Sequence, residues 1–383
     1  MKVPLLDLRL QYEHYKDTLL PLLHDFFAQQ QFILGPEVAA CEQKIAQYCG
    51  VPFAVGVTSG TDALLLSLMA LGVQPGDRVI TTPYTFFATA GSIARLGAVP
   101  MFVDIEPDTY TMDTEKLVQL LDSSSPQDRQ RIKAVIPVHL YGQCADMQPI
   151  LACGRNYSIA VIEDAAQALG AGYEIDGKLY KACALGDFGC LSFFPSKNLG
   201  CFGDGGMITV QNEHMYQKIR SLRVHGQAEG YYHDYIGING RLDALQALVL
   251  SVKLPYLDKW TKQRRHNATL YAQLFKQTEL CDRVVLPVER RNAFHVYNQY
   301  VIRVPERDTL KQYLNEQGIG TAIYYPLPLH LQKCFRYLGY APGDFPESER
   351  AARETLALPI FPELKPSQIE YVVDRIRMFY KNK

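Results

Sequence analysis

Long apolar runs and blocks of like charge are missing from this chain of 383 residues. No run is long enough to span a bilayer, and Lys2 lies where a signal peptide would need its apolar core. The 39 basic and 40 acidic residues nearly cancel and form no basic block, so nucleic acid and anionic membranes are not indicated as partners. We expect a cytoplasmic globular protein with a small-molecule partner.

Paired cysteines are also missing. The nine cysteines are scattered, with no Cys-x-x-Cys spacing among them. This pattern fits neither a disulfide framework nor a zinc site, so we predict buried thiols in a reducing compartment and no metal centre.

Short, nearly continuous apolar segments alternate with helical patterns through the first part of the chain. Strands buried on both faces have this character, and their alternation with helices predicts an α/β fold with a mostly parallel sheet covered by helices on both sides. The predicted strands begin near Phe53 and continue at residues 78–82, 99–104, 134–139, 158–163, 189–194 and 206–210.

The pattern changes after a long helical stretch that runs from Arg241 to His266. Beyond it, residues 296–304 alternate like a half-buried strand, and Pro366 is well placed to begin a final amphipathic helix. We therefore predict two domains, a large α/β domain at residues 1–255 and a smaller α+β domain at residues 256–383.

Ligands of open α/β sheets bind at the carboxyl ends of the strands. This rule selects the loops at residues 58–61, 83–87, 163–167 and 192–197. The first of these precedes a helix with the small residues Ser59, Gly60 and Thr61, which would let helix N–H groups bind an anion. Plain capping of the helix by Ser59 or Thr61 explains the same residues equally well.

Together the four loops supply an anion cradle, the aromatic pair Phe86 and Phe87, the carboxylate pair Glu163 and Asp164, and Lys197. Pyridoxal phosphate requires such a set: helix N–H groups for its phosphate, an aromatic platform and a carboxylate for its ring, and a lysine for its aldehyde. Each residue alone has a simpler explanation: Lys197 as a surface residue, Asp164 as a helix cap and Phe86 as core.

Seven motifs in order resemble the DegT/StrS-type nucleotide-sugar aminotransferases, and the resemblance covers nearly the whole chain. The motifs are residues 58–64 (TSGTDAL), 85–89 (TFFAT), 163–168 (EDAAQA), 192–197 (SFFPSK), 203–206 (GDGG), 223–226 (RVHG) and 237–243 (GINGRLD). The resemblance implies an aspartate-aminotransferase-like fold (fold type I) with a seven-stranded-type sheet, and a homodimer with active sites at the subunit interface.

By motif position, the resemblance assigns a role to each cofactor residue. Lys197 matches the Schiff-base lysine, Asp164 the partner of the ring nitrogen, Gln167 a residue near the ring hydroxyl and Phe86 the stacking aromatic. The phosphate contacts correspond to Ser59, Gly60, Thr61 and Ser192, and to Asn239 acting on the cofactor of the neighbouring subunit.

Within the family, residues 141–146, 195–204 and 231–234 are most similar to enzymes that aminate a 3-keto nucleotide sugar. The resemblance implies L-glutamate as amino donor and a UDP-linked 2-acetamido-3-keto-hexuronic acid as acceptor. Arg241 would then bind the sugar carboxylate, or else form an ion pair with Asp243. Other expected substrate contacts are Tyr324, where the family often has histidine, Tyr325 and His330.

Three other functions remain open. A dTDP-linked 3-keto or 4-keto-6-deoxyhexose is an alternative acceptor. A sugar dehydratase on the same fold has histidine at the lysine position, so Lys197 argues against it. A non-catalytic sugar-sensing regulatory protein on this fold is the alternative from another functional class.

Overall fold

The structure is a computed structural model that describes residues 1–278, 280 and 282–381. Its strands are β1 (Phe53–Val57), β2 (Arg78–Thr81), β3 (Val99–Phe102), β4 (Ile132–Val135), β5 (Ala160–Asp164), β6 (Gly172–Ile175), β7 (Lys178–Lys181), β8 (Phe188–Ser192), β9 (Gly206–Val210), β10 (Ala293–Phe294), β11 (Tyr300–Arg303) and β12 (Thr355–Leu358).

The helices begin near the N-terminus and end with the last described residue. They are α1 (Leu8–Tyr12), α2 (Lys16–Gln29), α3 (Pro36–Cys49), α4 (Gly60–Ala70), α5 (Ala88–Arg95), α6 (Thr114–Ser123), α7 (Pro126–Arg131), α8 (Met147–Tyr157), α9 (Glu213–Leu222), α10 (Ala244–Lys253), α11 (Leu257–Lys276), α12 (Arg307–Glu316), α13 (Pro346–Glu354) and α14 (Pro366–Lys381). None of these described helices is long and apolar enough to cross a bilayer.

Seven strands form the central sheet in the order β1-β9-β8-β5-β4-β2-β3. Strand β9 is antiparallel to both of its neighbours, whereas β8, β5, β4, β2 and β3 pair in parallel. The connection from β8 to β9 is a loop without a crossover helix, which explains why β9 returns in the opposite direction. The prediction of an α/β fold with a mostly parallel sheet is confirmed.

Successive residues of the sheet contribute to two different hydrophobic clusters. On β5, for example, Val161 lies in the cluster with α3, α8 and α10, while Ile162 lies in the cluster with α4, α5 and α9. Because side chains alternate across a strand, both faces of the sheet are buried under helices. This burial is the physical origin of the continuous apolar segments in the sequence.

The C-terminal part has its own hydrophobic cluster, built around β11, β12, α12 and α14. Val3 also belongs to it, because the N-terminal segment pairs with Ile319. The long helix predicted after Arg241 is divided into α10 and α11 by a 3₁₀ turn at Leu254–Tyr256, where Pro255 removes a backbone donor. The domain boundary at residues 255/256 stays a prediction.

The cysteines within the described residues are all free, and seven of these eight are buried. Burial raises the pKa of several of them, for example that of Cys49 to about 12. A buried thiol with a raised pKa is a small apolar side chain and not a nucleophile.

Candidate active site

A cavity of about 450 Å³ opens at the carboxyl ends of β1, β2, β5 and β8. Ten of the residues predicted from the sequence line it: Ser59, Gly60, Thr61, Phe86, Asp164, Gln167, Ser192, Lys197, Tyr324 and Tyr325. They come from five separate segments, and the sheet brings the first four together because parallel strands end at one edge.

One end of the cavity is formed by the first turn of α4. Ser59 is the N-cap of this helix, and its hydroxyl accepts a 3.0 Å hydrogen bond from the Asp62 N–H. The capping interpretation is therefore realised, but it uses only one of the first-turn donors that a helix leaves without an internal partner. Gly60 and Thr61, at the start of α4, line the cavity, so their N–H groups are available to an anion bound there.

Gly60 permits a close approach between α4 and the end of β8. A Cβ atom added at Gly60 would lie 2.8 Å from the Cβ of Ser192, closer than real Cβ contacts. The two residues thus form a narrow cradle of small side chains beside the helix N-terminus, which a larger residue at position 60 would fill.

Asp164 ends β5 and is buried at the floor of the cavity. Its Oδ2 accepts a 2.8 Å hydrogen bond from the Thr89 hydroxyl, and its Oδ1 accepts one of 3.2 Å from the Ala166 N–H. Burial raises the pKa of Asp164, while these donors and the charge of Lys197 oppose the shift. The carboxylate is therefore positioned by two donors before any ligand binds.

Lys197 lies in the loop between β8 and β9, in a turn closed by a 2.8 Å hydrogen bond from its N–H to the Phe194 carbonyl. Burial lowers the pKa of its amine to about 8, although the Asp164 carboxylate opposes this shift. Near neutral pH a usable fraction of the amine is uncharged, as nucleophilic attack on an aldehyde requires.

The carboxylate pair Glu163 and Asp164 does not act as a pair. Consecutive residues of β5 point to opposite faces, and Glu163 is completely buried away from the cavity. It accepts hydrogen bonds from His139 Nε2 at 2.8 Å and from the N–H groups of Cys183, Leu185 and Gly186. Glu163 therefore holds the segment before β8, and Asp164 alone faces the cavity.

The aromatic pair also separates. Phe86 lines the cavity with 56% of its surface exposed, and its ring lies 5.9 Å from that of Tyr325. Phe87 stacks on Phe335 at a centroid distance of 5.5 Å, outside the cavity. Of the two, Phe86 is the ring that a planar ligand in the cavity would meet.

Gln167 is fixed from both ends of its amide. Its Oε1 accepts a 2.6 Å hydrogen bond from the Tyr141 N–H, and its Nε2 donates one of 3.1 Å to the Tyr325 hydroxyl. The backbone carbonyl of Tyr324 in turn accepts a 2.6 Å hydrogen bond from the Tyr84 hydroxyl. These contacts place the Tyr324–Tyr325 segment over the cavity.

Three predicted site residues lie elsewhere. Asn239 is exposed in a bridge with Val224, and Arg241 lines a separate cavity of about 580 Å³. His330 is buried under Phe345 and lies 3.2 Å from Glu349 Oε1. Within the described residues, Arg241 forms no ion pair with Asp243, and its Nε has no hydrogen-bond partner.

Sequence reasoning assigned no role to several residues that line or support the cavity. Thr89 lies within the 85–89 motif, but only the fold shows its hydroxyl on Asp164. Asp204, within the 203–206 motif, and Gln299, outside all seven motifs, also line the cavity. The spacing of residues in the sequence does not indicate that these side chains line or support the cavity.

The residues around the cavity fit pyridoxal phosphate. The Gly60–Ser192 cradle and the start of α4 suit a phosphate, and the exposed face of Phe86 suits an aromatic ring. Asp164 suits a protonated ring nitrogen, and the low-pKa amine of Lys197 suits an aldehyde. Each chemical group of this cofactor thus has one suitable partner among the residues that line the cavity.

Comparison with known proteins agrees with this fit. Residues 15–377 match the DegT/DnrJ/EryC1/StrS aminotransferase family. The crystal structure of DesV from S. venezuelae in complex with a ketimine intermediate has a TM-score of 0.91 and 35% identity, covering 99% of this chain and 98% of that chain.

Three curated relatives span essentially the same length. A pleiotropic regulatory protein of Geobacillus stearothermophilus is 49% identical over 100% of both chains. A UDP-N-acetyl-3-dehydro-alpha-D-glucosamine 3-aminotransferase of Acidithiobacillus ferrooxidans is 40% identical, over 98% of this chain and 97% of its own. A UDP-2-acetamido-2-deoxy-3-oxo-D-glucuronate aminotransferase of Pseudomonas aeruginosa is 39% identical, over 97% and 98%.

The fold, the cavity and the match over nearly the full length lead to one assignment. The chain belongs to the DegT/DnrJ/EryC1/StrS aminotransferase family, with the aspartate-aminotransferase-like fold, and its cofactor is pyridoxal phosphate.

Proposed function

We propose that this protein transfers an amino group from L-glutamate to a keto nucleotide sugar, a UDP-2-acetamido-3-keto-hexuronic acid. The observation that carries the proposal is the single cavity that unites Lys197, Asp164 and the N-terminus of α4. The free cysteine thiols support a cytoplasmic site of action, where thiols stay reduced.

Lys197 has two tasks in this proposal. Its amine would hold the cofactor aldehyde covalently, and the free amine would move a proton at the substrate carbon. Burial favours both tasks because it brings the pKa of the amine to about 8. Bound pyridoxal phosphate supplies an aldehyde that carries the amino group and a ring that accepts electrons.

The other cavity residues orient and tune the site. Asp164, held by Thr89, keeps a negative charge where the protonated ring nitrogen would lie. Ser59, Gly60, Thr61 and Ser192 would hold the phosphate, Phe86 would pack against the ring, and Gln167 would bind the ring hydroxyl. Tyr325 has a pKa raised by burial, so its hydroxyl stays protonated and can donate to the substrate.

Support for a 3-keto sugar comes from the relatives, since two of them are named for UDP-linked 3-keto substrates that differ in the sugar carboxylate. Arg241 is our proposed ligand of that carboxylate. Its Nε lacks a partner among the described residues, and His225 and His233 line the same cavity of about 580 Å³. Planar, bidentate binding of a carboxylate suits a guanidinium.

We further propose a homodimer with shared active sites. Arg241 and Asn239 lie outside the cavity of their own chain, so they serve the cofactor and sugar only if a second copy faces them. Large apolar side chains exposed on and after α2 support such an interface; they are Leu20, Leu22, Phe27, Phe32 and Ile33. Their burial between two copies would follow the usual logic of homodimers.

Mass spectrometry of sugar products tests the acceptor. Purified protein with glutamate is offered UDP-linked 3-keto sugars with and without the C6 carboxylate, and dTDP-linked 3-keto and 4-keto-6-deoxyhexoses. We expect amination of the 3-keto hexuronic acid with the highest kcat/KM. Amination of a 4-keto sugar and no 3-keto sugar would refute the proposed acceptor.

A matched variant isolates the carboxylate contact. Arg241→Gln is expected to raise KM for the hexuronic acid about 30-fold and to leave the uncharged 3-keto sugar within about threefold, because one charged hydrogen-bonded pair is lost. Equal effects on the two sugars would mean that Arg241 does not bind the carboxylate.

A sugar-responsive regulatory protein is the second candidate, favoured by the name of the 49% identical relative. Incubation with glutamate separates the two functions without any sugar. A transaminase forms 2-oxoglutarate and loses the visible absorbance of lysine-bound cofactor, whereas a sensor does neither with any amino donor.

A further inference from the structure

Lys253 is buried beneath the loop that carries Lys197, with 3% of its surface exposed. Its ammonium group donates a hydrogen bond to the carbonyl oxygen of Gly200. No carboxylate within the described residues lies at ion-pair distance from it. A buried, unpaired lysine has a high desolvation cost, so its presence here needs an explanation.

The surroundings of Lys253 stabilise a cation in another way. Its Nζ lies 5.3 Å from the centroid of Tyr15 and 5.8 Å from that of Phe202. Cation–π attraction at both rings and the Gly200 carbonyl replace part of the lost hydration. Burial lowers the pKa of Lys253 to about 8, with the neighbouring Cys201 thiol opposing the shift.

The loop between β8 and β9, which lies above Lys253, is closed by backbone hydrogen bonds. Phe193 donates to the Gly205 carbonyl and Cys201 to the Phe193 carbonyl, each at 2.8 Å. Gly200 folds back on Pro195, since an added Cβ at Gly200 would lie 2.3 Å from the Pro195 carbonyl oxygen. Residues 195–200 therefore form one tight turn, with Lys197 at its tip and Gly200 at its base.

Helix α10 contacts this loop at two points. Gln246 accepts a 2.7 Å hydrogen bond from the Phe202 N–H, and Lys253, seven residues later on the same face, binds the Gly200 carbonyl. One N–H and one C=O at the base of the loop are thus fixed by a single rigid element. Side chains on a rigid helix position a reactive group more exactly than loop contacts alone.

We propose that Lys253 is a positioning residue: by fixing the Gly200 carbonyl, it sets where the amine of Lys197 meets the cofactor aldehyde. The proposal rests on Lys197 as the covalent anchor but not on the identity of the sugar. Methionine at position 253 keeps the length and removes both the charge and the donor, so it separates positioning from packing.

The experiment compares Lys253→Met with Lys262→Met, which removes an exposed lysine of α11. We measure the affinity of the apoprotein for pyridoxal phosphate, the pH midpoint of the visible absorbance of the bound cofactor, and the urea midpoint of the apoprotein. For K253M we expect about tenfold weaker cofactor binding and a shift of at least about half a pH unit in the pH midpoint of the absorbance. The urea midpoint of the apoprotein should be unchanged or raised, because the buried charge is gone. K262M should match wild type in all three.

Two results would overturn the proposal. Wild-type affinity and pH midpoint in K253M would show that the Gly200 contact does not position Lys197. Weaker cofactor binding with an unchanged pH midpoint and a lowered urea midpoint would show a purely structural role. None of the three readouts requires sugar turnover, so failure of the proposed acceptor activity would leave this test intact.

Discussion

The hydroxyl of Thr89 donates a 2.8 Å hydrogen bond to Oδ2 of Asp164, a buried residue that lines the cavity. The carboxylate is buried, and burial alone raises its pKa. The Thr89 contact is the strongest of the influences that oppose this rise. The sequence alone does not reveal this role of Thr89, because the effect of its hydroxyl on a pKa depends on which carboxylate it contacts in the fold.

Replacement of Thr89 by valine should therefore weaken the charged form of Asp164. We expect Thr89→Val to lower the rate constant of the half-reaction with glutamate about tenfold, because one hydrogen bond to a charged group is lost. This factor corresponds to an activation free energy higher by about 1.4 kcal/mol. Thr89→Ser keeps the hydroxyl and should stay within about threefold of wild type. Stopped-flow absorbance measures both, and equal rates in the two variants would contradict the role of the hydroxyl.

The amine of Lys197 should control the pH dependence of cofactor uptake. Below its pKa of about 8 the amine is an ammonium group and cannot attack the aldehyde. The rate at which apoprotein gains visible absorbance should thus rise with pH and level off above about 8. Because the Asp164 charge raises the pKa of Lys197, Asp164→Asn should move this midpoint to lower pH. A midpoint that moves upward would show that another group controls uptake.

Glu163 should matter for stability and not for cofactor chemistry. Burial alone would raise its pKa, but His139 and the backbone donors lower it below its usual value. Its stabilising effect is therefore complete above the ordinary carboxyl pKa and is lost as pH falls through the lower folded value. Glu163→Gln should cost about 3 kcal/mol of unfolding free energy at neutral pH, because a Gln amide presents donors to donors.

Urea unfolding of apoprotein at several pH values measures this cost. Glu174→Gln, at an exposed position on β6, is the matched control and should change the unfolding free energy by less than about 0.5 kcal/mol. Unchanged stability of Glu163→Gln would mean that its four donors are satisfied in another way.

Gly60→Ala should weaken cofactor binding directly. The new methyl group would lie 2.8 Å from the Cβ of Ser192, so either the start of α4 or the end of β8 must move. We expect at least about tenfold lower affinity for pyridoxal phosphate, because phosphate donors displaced by even a few tenths of an ångström bind poorly. Absorbance titration of apoprotein measures this, and the apoprotein's melting temperature reports whether the fold is intact. Wild-type affinity would place the phosphate elsewhere.

Asn239 is predicted to act on the cofactor of a second copy. Lys197→Ala and Asn239→Ala should each be inactive or nearly so as pure proteins. Mixed and refolded together, they should regain about a quarter of wild-type activity, because half of the dimers then contain one complete site. Failure to regain activity, with mixed dimers verified by native mass spectrometry, would place Asn239 outside the shared site.

The sequence predicted the α/β architecture because its strands are buried on both faces, which leaves continuous apolar segments such as residues 158–163. It also placed Lys197, Asp164 and the Ser59–Thr61 turn at strand ends, where a parallel sheet necessarily brings loops together. The long helix after Arg241 was predicted without its break, since helical spacing continues across Pro255. Strands, helices and strand-end loops can be predicted from the sequence because they depend on neighbouring residues or on a regular spacing.

Only the tertiary structure determines which residues each side chain contacts. Glu163 and Phe87 have the same chemistry as their neighbours Asp164 and Phe86, and only strand alternation and packing direct them away from the cavity. Thr89 on Asp164 and Lys253 beneath the Lys197 loop join residues far apart in the chain. The order of the motifs in the sequence indicated aminotransferase chemistry, whereas contacts between distant segments determine which side chains line the cavity.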